Sequence, residues 1–502
     1  MSTGSLEANA IVVRNGQLLD VDTWTTSPQD ILIRGDRFEA IERSIEPPPE
    51  ALILEAAGGL LIPGFINGHT HSQNNLTKGS GDRWTLEMAL IFGRALNSRR
   101  TTDDHHVSAL LGAVEMIRSG ITSVYDLFIE SPQPTPDGIG AVVAAYDTAG
   151  LRAIVAPAVA DIDVLSLLQQ IDSPVAAGIA VDSKGSPSAE EMLDILRNAG
   201  ERKQGPNQRV RLAVSPTIPL YCSDELMEGL RDLASTWDSS IHSHLAETKF
   251  QAVSSVLATG LSNVERLATL GVLSDRFIGA HGVWLRRKEV GMLAAQGSVI
   301  VHNPTSNFKL GSGVANIRQL RSMGVRVALG TDGCLSSDNQ NMFAALKSAT
   351  FASRLRSSSP DAWLGSRDAL ELAWRGGALA MGLPDSLGKI APGYLADLVI
   401  LDADSVHLLP VNDVCNQLVY CETGEAVDTV IVGGRVLMKN KVLVSLDERA
   451  VKAEAREARE RHHERIGPAL EEARARAQLV QRACSEITSS ETDDDFTSLR
   501  GA

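Results

Sequence analysis

The chain has 502 residues, a hydrophobic fraction of 43%, a charged fraction of 22% and a formal net charge of −15. That length exceeds what one hydrophobic core usually serves, so a large domain with a smaller companion is expected. The acidic balance argues against nucleic acid and anionic membrane surfaces as partners, because no basic surplus offsets the repulsion, and leaves a small molecule as the expected partner.

No apolar run approaches the ~20 residues of a membrane span. The opening residues MSTGSLEANAIVVRNGQ show neither a basic nor a long apolar segment of a secretory signal. Cys222, Cys334, Cys415, Cys421 and Cys484 lack CxxC spacing, which argues against a disulfide framework and a cysteine metal site. A cytoplasmic location with reduced thiols is the expectation.

In chain order, AIVVRNGQLLD and DILIRGDRFEAIE are β-branched runs punctuated by NG and GD turn signals, and GYLADLVILDAD with AVDTVIVGGRVLMKNKVLV repeats that character near the other end. The two ends, residues 1–61 and 394–445, are expected to form one β-sandwich. Between them, residues 62–393 alternate strand-length apolar runs with helical patterns: FINGHTH, ITSVYDL, RAIVAPAV, VRLAVSPT, SSIHSHLAE, FIGAHGVW, SVIVHNPT and RVALGTD. Eight such strands predict an α/β fold built on a (β/α)8 TIM barrel. Residues 446–502 are rich in Ala, Glu and Arg and read as an exposed helix broken at Gly467-Pro468, with an oligomer contact as the alternative, followed by a disordered tail.

Polar residues fall at the C-terminal ends of the predicted strands, where barrel enzymes place their chemistry. His69 and His71 share a strand face at i, i+2 and form a chelating pair. Later strands end in His242, His244 and Glu247, in His281, in His302 and in Asp332. Imidazole and carboxylate are ligands that zinc and ferrous iron accept, and so many strand ends bearing them are hard to explain as packing. His105, His106, His407, His462 and His463 read as surface residues, and Cys334 as a small residue on the rim.

The segments PGFINGHTH, HSHLAET, AHG, HNPTSNFKLGSG and ALGTDG, in this order, resemble the amidohydrolase superfamily, in the branch of S-adenosylhomocysteine deaminases and triazine chlorohydrolases. The resemblance runs from about residue 10 to 445 and leaves the C-terminal helix outside. It implies His69, His71, His244 and Asp332 as metal ligands, Glu247 as a proton shuttle, and His281 as the group that orients water or leaving group. VRLAVSPT lacks the strand-four lysine of binuclear relatives, so one divalent ion is implied, zinc ahead of iron. His242 and His302 then read as supporting or core residues.

A metal with an open position lowers the pKa of water to ~7, Asp332 and His281 can handle that water's proton, and Glu247 can protonate the departing nitrogen. Where nucleoside-deaminating relatives carry a Trp and a ribose-binding Glu, this chain has Ala89 and Ser98. Asn74, Lys78 and Trp84 are candidate substrate contacts on the loop after His71, and Ser306 and Asn307 on the strand-seven loop. The leading expectation is a C–N hydrolase, cutting an amide, urea or carbamate or deaminating a ring carbon of an aromatic or heteroaromatic compound, and forming a homo-oligomer. A nucleoside deaminase of the S-adenosylhomocysteine or methylthioadenosine type and a non-catalytic binding barrel are the alternatives.

Overall fold

The computed structural model describes residues 9–171, 187–201, 209–489 and 496. Five strands open the chain: β1 (Ala10–Asp20), β2 (Thr25–Arg34), β3 (Arg37–Glu42), β4 (Leu52–Glu55) and β5 (Leu60–Pro63). Nine parallel segments follow: β6 (Phe65–Thr70), β7 (Ile121–Phe128), β8 (Arg152–Val159), β9 (Val210–Leu212), β10 (Ser215–Pro216), β11 (Ile241–Leu245), β12 (Phe277–His281), β13 (Val299–His302) and β14 (Arg326–Leu329). β15 (Leu398–Leu401), β16 (Val427–Val432), β17 (Arg435–Lys439) and β18 (Val442–Leu443) complete the set.

The two chain ends share one nine-stranded sheet, ordered β18-β17-β16-β15-β5-β1-β2-β3 with β4 on β1. Side chains from both halves, including Ile11, Ile33, Leu61, Leu398 and Ile431, bury into a common apolar cluster, which joins ends far apart in sequence. β5 pairs with β1 and β15, so the sheet continues to Pro63, past the expected boundary at residue 61. Asn15-Gly16 does not separate two strands as the turn signal suggested. It lies within β1 as a register shift, where Asn15 has φ 57 and a Cβ on Gly16 would meet Leu61 at 2.4 Å.

The parallel strands form two arcs, one of β6, β7, β8, β9 and β10 and one of β11 to β14. A parallel bridge between Val214 and Ile241 joins them on one side. On the other, the Asp332 N–H donates to His69 O at 2.9 Å. The fourth predicted strand is split into β9 and β10, and each of the other seven appears as one strand. Ile66, Tyr125, Ile154, Ala213, Ile278, Val301 and Ala328, each from a different strand segment or its flank, meet in one buried cluster. The architecture is mixed α/β with parallel sheets of the TIM-barrel type.

Two helices follow β6: α1 (Leu86–Asn97) and α2 (Thr102–Arg118), the latter opened by a Thr101–Asp104 capping box. The C-terminal helix spans Glu448–Ser489, 42 residues, and contradicts the expected exposure and break. Val451, Ala455, Ala458, His462, Ile466, Ala473, Ala477, Val480 and Cys484 recur at three-, four- or seven-residue spacing and are buried on one face. Pro468 removes one backbone donor, yet the segments on both sides are anchored, so the helix continues. His462 donates to Ser98 O at 2.9 Å and Arg465 to Arg99 O at 3.1 Å.

Most of the tail expected to be disordered lies outside the described residues, but Phe496 is placed: it bridges to Arg286 and packs edge-on against Trp284. Among the described residues, no helix is long and apolar enough to cross a membrane.

Candidate active site

β6 delivers His69 and His71, β11 His244, β12 His281, and the turn after β14 Asp332. All five are buried. His69, His71 and His244 each offer a ring nitrogen within 4.8 Å of the others, and His69, His281 and Asp332 form a second such group. His71 Nε2 lies 3.1 Å from His244 Nε2 and 3.1 Å from Asp332 Oδ1, while His69 Nε2 lies 3.5 Å from the same oxygen.

Backbone carbonyls fix which nitrogens face inward. The His71 Nδ1–H donates to Leu127 O and the His244 Nδ1–H to Thr217 O, each at 2.6 Å, leaving both Nε2 lone pairs directed at the cluster. His69 Nδ1 shares a 2.8 Å hydrogen bond with His242 Nε2, so its buried and unpartnered Nε2 also faces the cluster. His242 thus braces the His69 ring through that hydrogen bond.

Electrostatics follow from burial and from the one carboxylate. Burial pushes His69 down to about 4 and holds His244 well below the usual imidazole range. Burial opposes charge on His71 too, but Asp332 beside it raises the imidazole. Burial likewise opposes charge on Asp332, and the adjacent His69 and His71 rings nonetheless hold its carboxyl well below the usual range. Three imidazole nitrogens within 4.8 Å of one another, with Asp332 Oδ1 3.1 Å from His71 Nε2 and 3.5 Å from His69 Nε2, fit a divalent cation of the zinc type.

Glycines let these elements approach. A Cβ on Gly330 would lie 2.9 Å from His69 N and 3.0 Å from His69 O, and one on Gly333 would meet His71 Cβ and Asn74 Nδ2 at 2.7 Å. His281 (φ 76) and Asp332 (φ 63) both adopt left-handed backbone conformations, which are strained for side-chain-bearing residues and common where chemistry fixes geometry.

Next to the histidines sits Glu247, fully buried just before the helix Lys249–Thr259. Its Oε2 is 3.5 Å from His281 Nε2. Burial and then the charge of Asp332 raise its carboxyl well above the usual range, the direction a proton donor needs. The His281 Nδ1–H donates to Asn307 Oδ1 at 2.9 Å, and burial keeps the ring neutral, which leaves Nε2 as an acceptor. Asp332 Oδ2 is 4.0 Å from that nitrogen.

Above this cluster opens a cavity of about 740 Å³, within the range of small-molecule sites. His71, His244, Glu247 and Asp332 form its floor, and Leu86, Ala89, Leu90, Ile129, Val159, Ile218 and Leu310 contribute apolar walls. Asn74 lines it, held by Asn97 Nδ2 at 3.1 Å.

Lys78 and Trp84 do not line the cavity, which corrects their expected place at the substrate. Lys78 pairs with Glu115, and Trp84 stacks on Phe92 at 4.4 Å between centroids and packs against Leu86, Ala89 and Leu310. Asn307 acts on His281, and neither it nor Ser306 lines the cavity. Ser98 also stays outside it, bonding back to Ala95 O. His105 and His462 are buried rather than superficial, because the C-terminal helix covers their side of the barrel. Cys334 is likewise buried, beneath the floor with its Sγ 3.2 Å from Asn75 Oδ1.

Sequence reasoning missed Asn67 and Gln340. Asn67 accepts from the Thr331 N–H at 3.0 Å and donates to Thr331 Oγ1 at 2.7 Å, bracing the turn that presents Asp332. Gln340 Oε1 accepts from Thr70 Oγ1 at 2.9 Å. Asn67, two residues before His69 on one strand face, was detectable by period-two alternation. Gln340 comes from a loop and leaves no local signal.

The amidohydrolase family model matches residues 60–437. A 5'-deoxyadenosine deaminase of Methanothermobacter thermautotrophicus is 32% identical over 447 residues, 89% of this chain and 97% of that protein. A 5-methylthioadenosine/S-adenosylhomocysteine deaminase of Thermococcus kodakarensis is 32% identical, covering 86% of this chain and 94% of its own length. Among solved structures, an atrazine chlorohydrolase of Arthrobacter aurescens complexed with zinc superposes with a TM-score of 0.81 at 25% identity, covering 89% of this chain and all of that one, 100%. An adenosine deaminase of Xanthomonas campestris with bound zinc gives 0.79 at 25% identity, covering 90% and 98%. The chain belongs to the amidohydrolase family and is a metal-dependent hydrolase.

Proposed function

We propose that the protein hydrolyses a C–N bond at an sp2 carbon of a small heteroaromatic molecule, with one divalent ion, zinc ahead of iron, held by His69, His71, His244 and Asp332. The observation that carries this reading is the convergence of those residues with a buried Glu247, 3.5 Å from His281, on the floor of one cavity. When bound, such an ion supplies Lewis-acid chemistry that lowers the pKa of water to about 7.

The chain's own residues do the rest. Asp332 Oδ2 accepts the proton of the attacking water, and His281 Nε2, fixed as an acceptor by Asn307, holds that water in line. Glu247 donates its proton to the leaving nitrogen, so that after the new C–O bond has formed the C–N bond breaks and the nitrogen departs as a neutral amine.

Purified protein loaded with zinc should release ammonia or amine from at least one member of a panel of aminated heterocycles, N-aryl ureas and amides. A His71→Ala variant retaining full metal and full turnover would refute the assignment. Deamination of a 5'-substituted adenosine is the second reading, favoured by the near full-length similarity to the two deaminases above. The highest kcat/KM falling on adenosine analogues would select it.

Three further readings belong to this proposal. The two parallel arcs make one closed (β/α)8 barrel, supported by the Val214–Ile241 bridge and the Asp332–His69 contact. The chain is cytoplasmic, consistent with five free cysteines. It self-associates, and the exposed Val406, Leu409 and Val411 after β15 offer a surface for that contact.

A further inference from the structure

We infer that the C-terminal helix is a specificity-determining wall of the substrate site, with Ala469 and Ala473 against the non-reacting part of the substrate, and that this part is apolar rather than a polyol. The inference rests on the C–N hydrolase reading and deepens it.

Ala469, Glu472, Ala473 and Arg476 lie at i, i+3, i+4 and i+7, one helical face, and all four line the cavity whose floor holds Glu247 and the histidines. Beside them α1, packed against the same helix, presents Leu86, Ala89 and Leu90 to the cavity. The helix is tied to both ends of α1: Thr85 Oγ1 donates to Gln481 Oε1 at 2.5 Å, and His462 donates to Ser98 O at 2.9 Å. Moving the helix therefore moves α1, and with it the Asn97–Asn74 contact that reaches the cavity.

The lining carboxylates are committed elsewhere. Asp163 accepts from the backbone N–H groups of Leu165 and Ser166 and from Ser166 Oγ, capping a helix. Glu130 accepts from Thr135 N–H and Oγ1, and Glu472 pairs with Arg476 at 2.6 Å. Glu247 and Asp332 belong to the chemistry. Among the described lining residues, each carboxylate outside the chemistry already has a partner within the protein, so none is set aside for a vicinal diol. The family match ends at residue 437, before this helix begins at Glu448, so the wall lies beyond the part of the chain that the family model describes.

The test uses the zinc-loaded full chain with Ala473→Phe, a milder Ala473→Val, and Ala475→Phe on the exposed side of the same helix as control. 1-Anilinonaphthalene-8-sulfonate serves as an aromatic probe that needs no turnover. Ala473→Phe should weaken its binding by about tenfold and Ala473→Val by less, with Ala475→Phe unchanged. Unaltered probe affinity in both Ala473 variants overturns the wall, whether or not any substrate is turned over.

With N-alkylated and unsubstituted aminotriazines, Ala473→Phe should raise KM for the bulky member selectively and leave kcat within about threefold. A wild-type preference for a ribosyl over an alkyl substituent overturns the apolar assignment. If the probe is lost in Ala473→Phe while nothing in the substrate panel reacts, the hydrolase reading fails and the wall stands.

Discussion

Replacing His242 by Leu tests how the ligand cluster is built, without needing a substrate. His242 is fully buried, its Nε2 is 2.8 Å from His69 Nδ1, and its ring stacks on His69 at 4.9 Å and lies 4.3 Å from Tyr125. Leu retains the volume and removes the hydrogen bond, stranding His69 Nδ1 in a site with no water access. Leaving a buried polar group unsatisfied costs about 1–3 kcal/mol, a factor of about 5 to 150 in an equilibrium constant. Loss of a residue supporting a metal ligand characteristically weakens metal affinity by about 10- to 100-fold, in the same range.

Zinc affinity measured by competition with a chromophoric chelator should therefore fall by about one to two orders of magnitude in His242→Leu, and by less in His242→Gln, which restores a polar partner. Thermal unfolding of the metal-free variants separates folding from binding. Wild-type zinc affinity in a folded His242→Leu would refute the argument that this hydrogen bond orients His69.

Other outcomes follow from the same geometry. Glu247→Gln should keep zinc bound and KM within a small factor while kcat falls by about 10²- to 10⁴-fold, as measured by steady-state amine release, since the amide cannot give up a proton. Gly330→Ala places a methyl against the His69 backbone at 2.9–3.0 Å. It should destabilise the fold by about 1–3 kcal/mol in urea titration and lower the zinc content of purified protein.

Burial, and then the charge of Arg100, push His105 from 6.5 down to about 3. The unfolded chain takes up a proton below about pH 6.5 that the folded chain refuses until about pH 3. This contribution to stability is whole above pH 6.5 and is lost as pH falls, by up to about 1.4 kcal/mol per pH unit. His105→Asn should flatten that part of the slope in denaturant titrations between pH 7 and 4, and an unchanged slope would refute the assignment.

Much of the site was legible because its residues occupy strand ends with fixed periodicity. His69 and His71 at i, i+2, His244, His281 and Asp332 could be placed from the order of apolar runs alone, since a parallel strand delivers its last side chains to one rim. The absence of a lysine in VRLAVSPT was equally readable. Turn chemistry was less reliable: Asn15-Gly16 has the composition of a hairpin turn, yet pairing on both sides of β1 absorbs it as a bulge.

What only the tertiary structure decided are contacts between segments distant in sequence. The carbonyls of Leu127 and Thr217, which choose the tautomers of His71 and His244, carry no side-chain identity for a sequence to display. Lys78 turns to Glu115, and Trp84 to Phe92, because the loop after His71 winds in a direction that composition does not specify.

The C-terminal helix is the largest case. Its Ala- and Arg-rich sequence reads as solvated, since small residues carry little hydrophobic signal. Those same alanines let the helix sit close against α1 and α2 and put Ala473 into the cavity. Local sequence determined which histidines and acids stand at the strand ends and in what order, and long-range packing determined the shape of the space in which they act.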